Sequence, residues 1–406
     1  MELTTEQRWE LVDRISKETV ELGAYKPTLR DALADITVKP VTGIPFAIAV
    51  LYGFWAFFNE FAGTLVTDGF LVKVFDIHFL PWIQAVFPGK NTWLYTIFVG
   101  DPSAKTSLEA FGTLTSGLFV AFGVVLPAIL AFYLMFALLE DIGYLPRLAV
   151  LVDSILHKIG LHGYAIVPVI LSLGCNVPGV LATRPLETRK QRFMMLTLLA
   201  MFIPCGAQIG VMRQLIPEQI GWVFLALGIG YFGVGFILNK IWPGESPEIL
   251  MDVPTYQIPS WRNIRRKLWM RMLHFISTGI PFVLLGSVIV AVMYLTGAMD
   301  WLANALAPVL TKTFGLPSET IAPLVAGFLR KDLAVGMLGG IDMTPWQLFT
   351  SVVLLTVYFP CLATFIMMMK EESWKEFLAT ILTLVVVVFV YGGLLHLIGI
   401  GLGVAQ

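Results

Sequence analysis

The sequence predicts an all-α polytopic membrane protein, with about seven spans plus two re-entrant hairpins arranged as two inverted repeats. Three observations carry that prediction. The 406 residues are 57% hydrophobic and only 14% charged, with a mean hydropathy of +0.79, a composition that excludes an ordinary soluble domain. Apolar stretches long enough to cross about 30 Å of hydrocarbon recur along the chain. Pro and Gly interrupt two further apolar stretches beside thiol or charged residues, a pattern tolerated in a membrane where protein or a cavity re-satisfies the freed backbone.

Residues 1–40 read as a cytoplasmic or interfacial segment. From Thr5 to Leu22 an amphipathic helix is expected, with Trp9, Leu11, Val12, Ile15 and Val20 on one face. Its many charges and missing apolar core argue against a signal peptide. Residues 41–406 read as one transmembrane transport domain. Its spans are expected at 43–65, 111–138, 190–216, 219–241, 276–298, 346–369 and 377–403, with hairpins near 164–183 and 321–340. Basic residues orient this layout. Arg184, Arg189, Lys190 and Arg192 form one group; Arg262, Arg265, Arg266, Lys267 and Arg271 a second; Lys370 and Lys375 a third. A cytoplasmic N-terminus puts all three groups inside and leaves 66–110, with only Lys73, Lys90 and Lys105, outside. The net charge of −1 points to no nucleic-acid partner. The lipid bilayer is the partner that composition implies.

Two parts of the chain resemble each other at an offset of about 155 residues: repeat one about 111–216 and repeat two about 276–369. Gly160-Leu161 and Ile166-Val167-Pro168 match Gly315-Leu316 and Ile321-Ala322-Pro323, and Pro204-Cys205 matches Pro360-Cys361. In the layout above the copies enter from opposite sides. Inverted repeats with paired broken segments are the sequence pattern of a secondary transporter whose site lies near the midplane.

The three cysteines sit at those interruptions. Cys175 lies in Gly174-Cys175-Asn176-Val177-Pro178, Cys205 in Pro204-Cys205-Gly206-Ala207, and Cys361 in Pro360-Cys361-Leu362-Ala363. Three thiols in separate segments suggest no disulfide framework. Thiolates, the Asn176 amide and freed carbonyls form a ligand set for a divalent transition metal; the competing reading is three small buried hydrophobes. A second group suits a cation path or gate. Glu140-Asp141 closes one span, either recruiting a cation or ending a solvated helix. Glu60 lies inside the first span, where an ionisable side chain is costly. His162, with His157, flanks the entry to the first hairpin. Arg330-Lys331-Asp332 interrupts the second, bracing a broken helix or supplying a counter-charge in a gate. Met367-Met368-Met369 offers thioethers but suits flexible packing, and His396 suits a packed or interfacial position. No hydrolase or metalloprotease motif is present, and Gly100-Asp101-Pro102-Ser103-Ala104-Lys105-Thr106 lacks the second glycine of a phosphate loop.

Leu139-Glu140-Asp141-Ile142-Gly143-Tyr144, Gly160-Leu161-His162-Gly163, Gly174-Cys175-Asn176-Val177-Pro178 with Ala182-Thr183-Arg184, Pro204-Cys205 and Pro360-Cys361-Leu362-Ala363-Thr364 follow one another in the order of a known family. Over roughly residues 30–400 the chain resembles the membrane (Gate) domain of the ferrous iron transport protein B (FeoB) family. The resemblance implies an inner-membrane importer of Fe(2+), with the ion as transported substrate and no permanently bound cofactor. It also implies that the family's iron-path cysteines carry over to Cys175 and Cys205, and its acidic motif to Glu140 and Asp141. Two departures stand out. The family's GTP-binding domain has no counterpart in these residues, which hold no Gly-x-x-x-x-Gly-Lys-Ser/Thr, so a separate GTPase or a small accessory subunit, or a passive or ion-coupled mode, is expected. Cys205-Gly206-Ala207-Gln208 stands where the family reads Cys-Ser-Ala-Arg, and Asp332 where it tends to have Glu. Two alternatives stay open: a Gate-type transporter of a small organic solute such as a nucleoside, using Asn176, Gln208 and Glu60, and a non-transporting membrane subunit. A homo-oligomer is compatible with each.

Overall fold

A computed structural model of the chain describes residues 14–15, 35–87, 92–100, 102, 107, 112–244, 256–298, 301, 308, 311–329 and 331–403. Among the described residues the protein is helical and has no strand. In hydrocarbon a helix satisfies its own backbone, which is why apolar sequence of this length adopts it. Among the described residues seven helical segments are long and apolar enough to cross a membrane: 40–58, 69–86, 113–142, 189–215, 220–241, 345–371 and 374–401.

The elements that position the site are α1 (Pro40–Phe58), α2 (Leu126–Ile142), α3 (Tyr144–Leu156), α4 (Ile166–Gly174), α5 (Asn176–Leu181), α6 (Arg189–Phe202), α7 (Gly206–Leu215), α8 (Ile220–Ile241), α9 (Trp261–His274), α10 (Ile280–Leu295), α11 (Ile321–Leu329), α12 (Lys331–Leu338), α13 (Pro345–Val357), α14 (Leu362–Glu371) and α15 (Trp374–Gly401). Local chemistry sets many of these limits. The Thr188 hydroxyl accepts from Gln191 N at 3.2 Å and starts α6. Capping boxes start α13 (Thr344 with Gln347) and α15 (Ser373 with Glu376). Helices α6 and α13 both stop just ahead of Pro204 and Pro360, whose rings cannot continue a helix.

The order of elements recurs. Helices α4 and α11 start 155 residues apart, as do α5 and α12; α6 and α13 start 156 apart, as do α7 and α14. Gly160 and Gly315, again 155 apart, both adopt left-handed backbone with φ of +76° and +66°. Each has a side chain pressed against it, Asn239 of α8 at Gly160 and His396 of α15 at Gly315, so a Cβ at either would lie 2.2 Å from that neighbour. A residue other than glycine would meet both the backbone and the steric penalty.

The core sits where the two copies meet. Met194, Met195, Leu198 and Leu199 of α6 pack in one buried cluster with Val352, Val353 and Leu355 of α13. A second cluster joins α1, α2, α3 and α4 through Phe54, Phe132, Phe136, Leu148 and Ile170. Within its most apolar window the 189–215 segment is 72% buried inside the protein, against 17% for 374–401. The first is therefore the central strut, and the second presents Leu382, Val386, Val390 and Leu394 outward as a lipid-facing surface.

Three expectations change. The 66–110 stretch was expected outside the membrane, yet 69–86 passes as a span; its apolar residues are diluted by Lys73, Asp76 and His78, so its hydropathy falls to 1.2. The expected span 276–298 is a helical continuation of α9 through a short π-helical turn (Phe275–Gly279) into α10, and only Leu284–Met293 stands out as apolar helix. The first broken segment extends further back than 164: 144–159 and 163–174 form a pair bent by 101°. The amphipathic helix expected over 5–22 lies outside the described residues apart from Arg14 and Ile15.

Candidate functional site

Both broken segments bend at a residue that chemistry singles out. Helix α4 ends where Cys175 turns extended (φ −153°, ψ 133°), and α5 begins at Asn176. The two helices fold against each other, Gly179 so close to Ser172 that a Cβ there would meet its Oγ at 1.8 Å. Helices α11 and α12 likewise fold against each other. After Pro204 and Pro360 the chain turns extended at Cys205 (ψ 162°) and Cys361 (ψ 154°) and re-enters α7 and α14.

These four breaks face one cavity of ≈ 240 Å³. Cys175, Cys205, Cys361 and Asn176 all line it, together with Lys331 and Asp332. The thiols are free and partly buried. Asn176 is buried, and its Oδ1 has no hydrogen-bond partner. An unpartnered buried amide oxygen costs roughly 1–3 kcal/mol, and here it stands among thiols at a backbone break. Cys361 Sγ lies 3.2 Å from Thr364 Oγ1. Among the described residues no three His, Cys, Asp or Glu side chains stand close enough to hold a metal ion together. The thiols are thus spread around the cavity wall and are not closed into a finished site.

The remaining expected site residues divide. Asp332 lines the cavity. Arg330 lies outside the described residues. Glu140 and Asp141 do not reach the cavity wall; α9 neutralises them, with Lys267 Nζ 3.2 Å from Glu140 Oε1 and 2.6 Å from Asp141 Oδ1, and Arg271 3.5 Å from Glu140 Oε2. These contacts brace α2 on α9, with Glu140 still exposed at the helix end. Arg271 also sits over the rings of Tyr133 and Phe136 and lines the cavity with Tyr133. Glu60 is exposed on the π-helical run 59–71 and is not part of the wall. His162 is buried in the link after Ile159, with both ring nitrogens unpartnered, but is likewise not part of the wall.

Sequence reading missed Lys331, Arg271 and Met367 as cavity residues. The signal for Lys331 was available: it stands 155 residues after Asn176, the same place in the second copy. Gln208, at the position where an Arg was expected, is fully buried, and its Nε2 donates to Thr356 Oγ1 at 2.8 Å, tying α7 to α13.

Comparison with known proteins comes from two family models and several relatives. The model described as "Nucleoside recognition" (Gate) matches residues 122–218 and 276–375, and the one described as "Ferrous iron transport protein B C terminus" matches 220–271. An Fe(2+) transporter FeoB of Staphylococcus aureus (strain COL) is 28% identical over 352 residues, covering 73% of this chain and 53% of its own. An Fe(2+) transporter FeoB of Methanocaldococcus jannaschii is 24% identical over an alignment of 439 positions, covering 97% and 62%. A protein of Porphyromonas gingivalis named as an Fe(2+) transport protein A/Fe(2+) transporter FeoB fusion is 27% identical over 302 residues, covering 71% and 33%. The chain therefore spans little more than half the length of the first of these relatives. No solved structure matches it.

Proposed function

The chain belongs to the FeoB family as its membrane part, and from that premise we propose that it moves ferrous iron, or a related divalent transition metal, across the inner membrane into the cytoplasm. One observation carries the reading: three thiols and a buried amide oxygen with no partner, from three separate breaks in the chain, face a single cavity. Sulfur, amide oxygen and freed carbonyls suit iron(II), which accepts both soft and hard ligands. The ion would be held by Cys175, Cys205 and Asn176, with Cys361 completing the set from the second copy. Because the thiols are spread around the wall, binding requires the hairpins to approach one another. That is what a transporter needs, since a site closed throughout the cycle would not release its cargo. The two copies, about 111–216 and 276–369, act as inverted halves that rock against each other. Asp332 and Arg330 stand at the second hairpin as gate charges.

No Gly-x-x-x-x-Gly-Lys-Ser/Thr occurs in these 406 residues, so nucleotide coupling, where it operates, comes from outside them. The fusion relative's printed name motivates a small accessory subunit as partner. The basic groups around Arg184–Arg192, Arg262–Arg271 and Lys370–Lys375 support a cytoplasmic side for those loops. A second reading rests on the cavity being larger than one ion and on the printed description of the Gate model: a small organic solute such as a nucleoside.

Anaerobic uptake into proteoliposomes separates the two. Iron(II) uptake that falls at least tenfold in Cys175→Ser and Cys205→Ser upholds the metal reading. Nucleoside uptake that is indifferent to both substitutions, with no metal uptake under any gradient or added nucleotide, replaces it with the second.

A further inference from the structure

Lys331 opens α12 and is 4% exposed. Its Nζ donates to two backbone carbonyls, Thr356 O at 2.7 Å and Ala200 O at 3.3 Å. Those carbonyls are counterparts in the two copies, 156 residues apart. Each lies four residues before a proline, Ala200 before Pro204 and Thr356 before Pro360. Proline has no N–H, so neither carbonyl receives the bond that a continuing helix would supply. Both also lie in the last turn of their helices, α6 and α13, where the helix dipole is negative. Two freed carbonyls and two helix C-termini thus converge on one point between the copies. Such ends coordinate cations in transporters with broken helices. Here the chain supplies the cation itself.

We propose that Ala200 O and Thr356 O form a second cation site, built from carbonyls and not thiols, and that the Lys331 ammonium is its resident ion. The lysine acts as a tethered monovalent cation that holds the two proline breaks together, one from each copy. The site's ligand class is a small monovalent cation, with an alkylammonium as the best match to the lysine head. The duplicated position explains the asymmetry of the cavity. In the first copy it holds neutral Asn176 with an oxygen to offer; in the second it holds a fixed positive charge. The wall therefore carries the candidate ligands and a built-in cation together.

Chemical rescue tests this with stability as the readout, so the result stands whatever crosses the cavity. Detergent-purified wild type, Lys331→Ala and Lys331→Met are melted in choline buffer with methylammonium titrated in at constant ionic strength. Lys331→Ala is expected to melt about 5 °C or more below wild type, and methylammonium is expected to recover at least half of that loss while leaving wild type unchanged. Lys331→Met fills the volume of the lysine stem without its charge, so it is expected to lose stability and to gain nothing from methylammonium. Wild-type melting in Lys331→Ala, or a loss that methylammonium does not reverse, overturns the proposal. Should Lys331→Ala not fold, Lys331→Met decides alone: a clear loss upholds the resident ion, and wild-type melting removes it.

Discussion

The two broken hairpins share one plan but differ in sequence where they are interrupted, Cys175-Asn176 in one copy and Arg330-Lys331 in the other. In each, a nine-residue helix, Ile166–Gly174 or Ile321–Leu329, runs into a break and a second helix follows. Asn176 in one copy matches Lys331 in the other, 155 residues on. Both are 4% exposed and both line the cavity. Asn176 leaves an oxygen unpartnered, while Lys331 is satisfied by two carbonyls. Duplication thus supplied two matching positions, and the chain filled one with a neutral amide and the other with a positive charge. The lesson is that backbone breaks free carbonyls by geometry alone, and side-chain identity decides what meets them.

The sharpest way to break this comparison is to make the halves alike. Asn176→Lys puts a second ammonium beside the thiols, and metal uptake in proteoliposomes is expected to fall to background; uptake near the wild-type rate would show that the first hairpin does not carry the ion. The next effect separates thiols by copy. Cys175→Ser is expected to cost at least tenfold in uptake and Cys361→Ser less, because Cys361 already has Thr364 as a neighbour. Equal losses would make the copies equivalent. The third probes the matched turns. Gly160→Ala and Gly315→Ala force a Cβ into a left-handed turn already filled by Asn239 or His396, and each is expected to lower stability by about 2 kcal/mol or more; the two losses should be similar if the turns are equivalent.

Glu372 offers a pH handle on the second copy alone. It lies between α14 and α15, is 8% exposed, and takes a hydrogen bond from Thr380 through Oε1 while Oε2 has no partner. Burial pushes its carboxyl up to about 8; the Thr380 bond opposes the rise and the nearby Glu376 adds to it. The folded protein thus holds the proton more tightly than the unfolded chain. Stability is lost as pH rises from the ordinary carboxylate range through about 8. Glu372→Gln is expected to flatten that fall and to be worth a few kcal/mol at most above pH 8, read from melting curves across pH. Smallest of all is Lys267→Ala. Its partly exposed pairs with Glu140 and Asp141 are worth about 1 kcal/mol at most.

Much of this was legible in the sequence, because membrane segments write their punctuation plainly. Pro204, Pro360, Gly174 and the three cysteines marked the breaks, and the breaks are what line the cavity. The 69–86 span was not legible, since Lys73, Asp76 and His78 dilute its apolar character. The role of Glu140 and Asp141 was hidden because their partner Lys267 lies 126 residues from Asp141 along the chain. Lys331 was obscured by its neighbours: the Arg330-Lys331-Asp332 run reads as a helix brace or a gate charge, and only the bonds to Ala200 and Thr356 show the lysine buried as a strut between the copies.

The central claim is that thiols from both copies take part in holding one transported ion. X-ray absorption at the iron edge of protein loaded anaerobically with iron(II) tests it most directly. The account predicts sulfur in the first coordination shell, reduced in Cys175→Ser and lost in the Cys175→Ser/Cys205→Ser/Cys361→Ser variant. A shell of oxygen and nitrogen alone, unchanged by those substitutions, would contradict it.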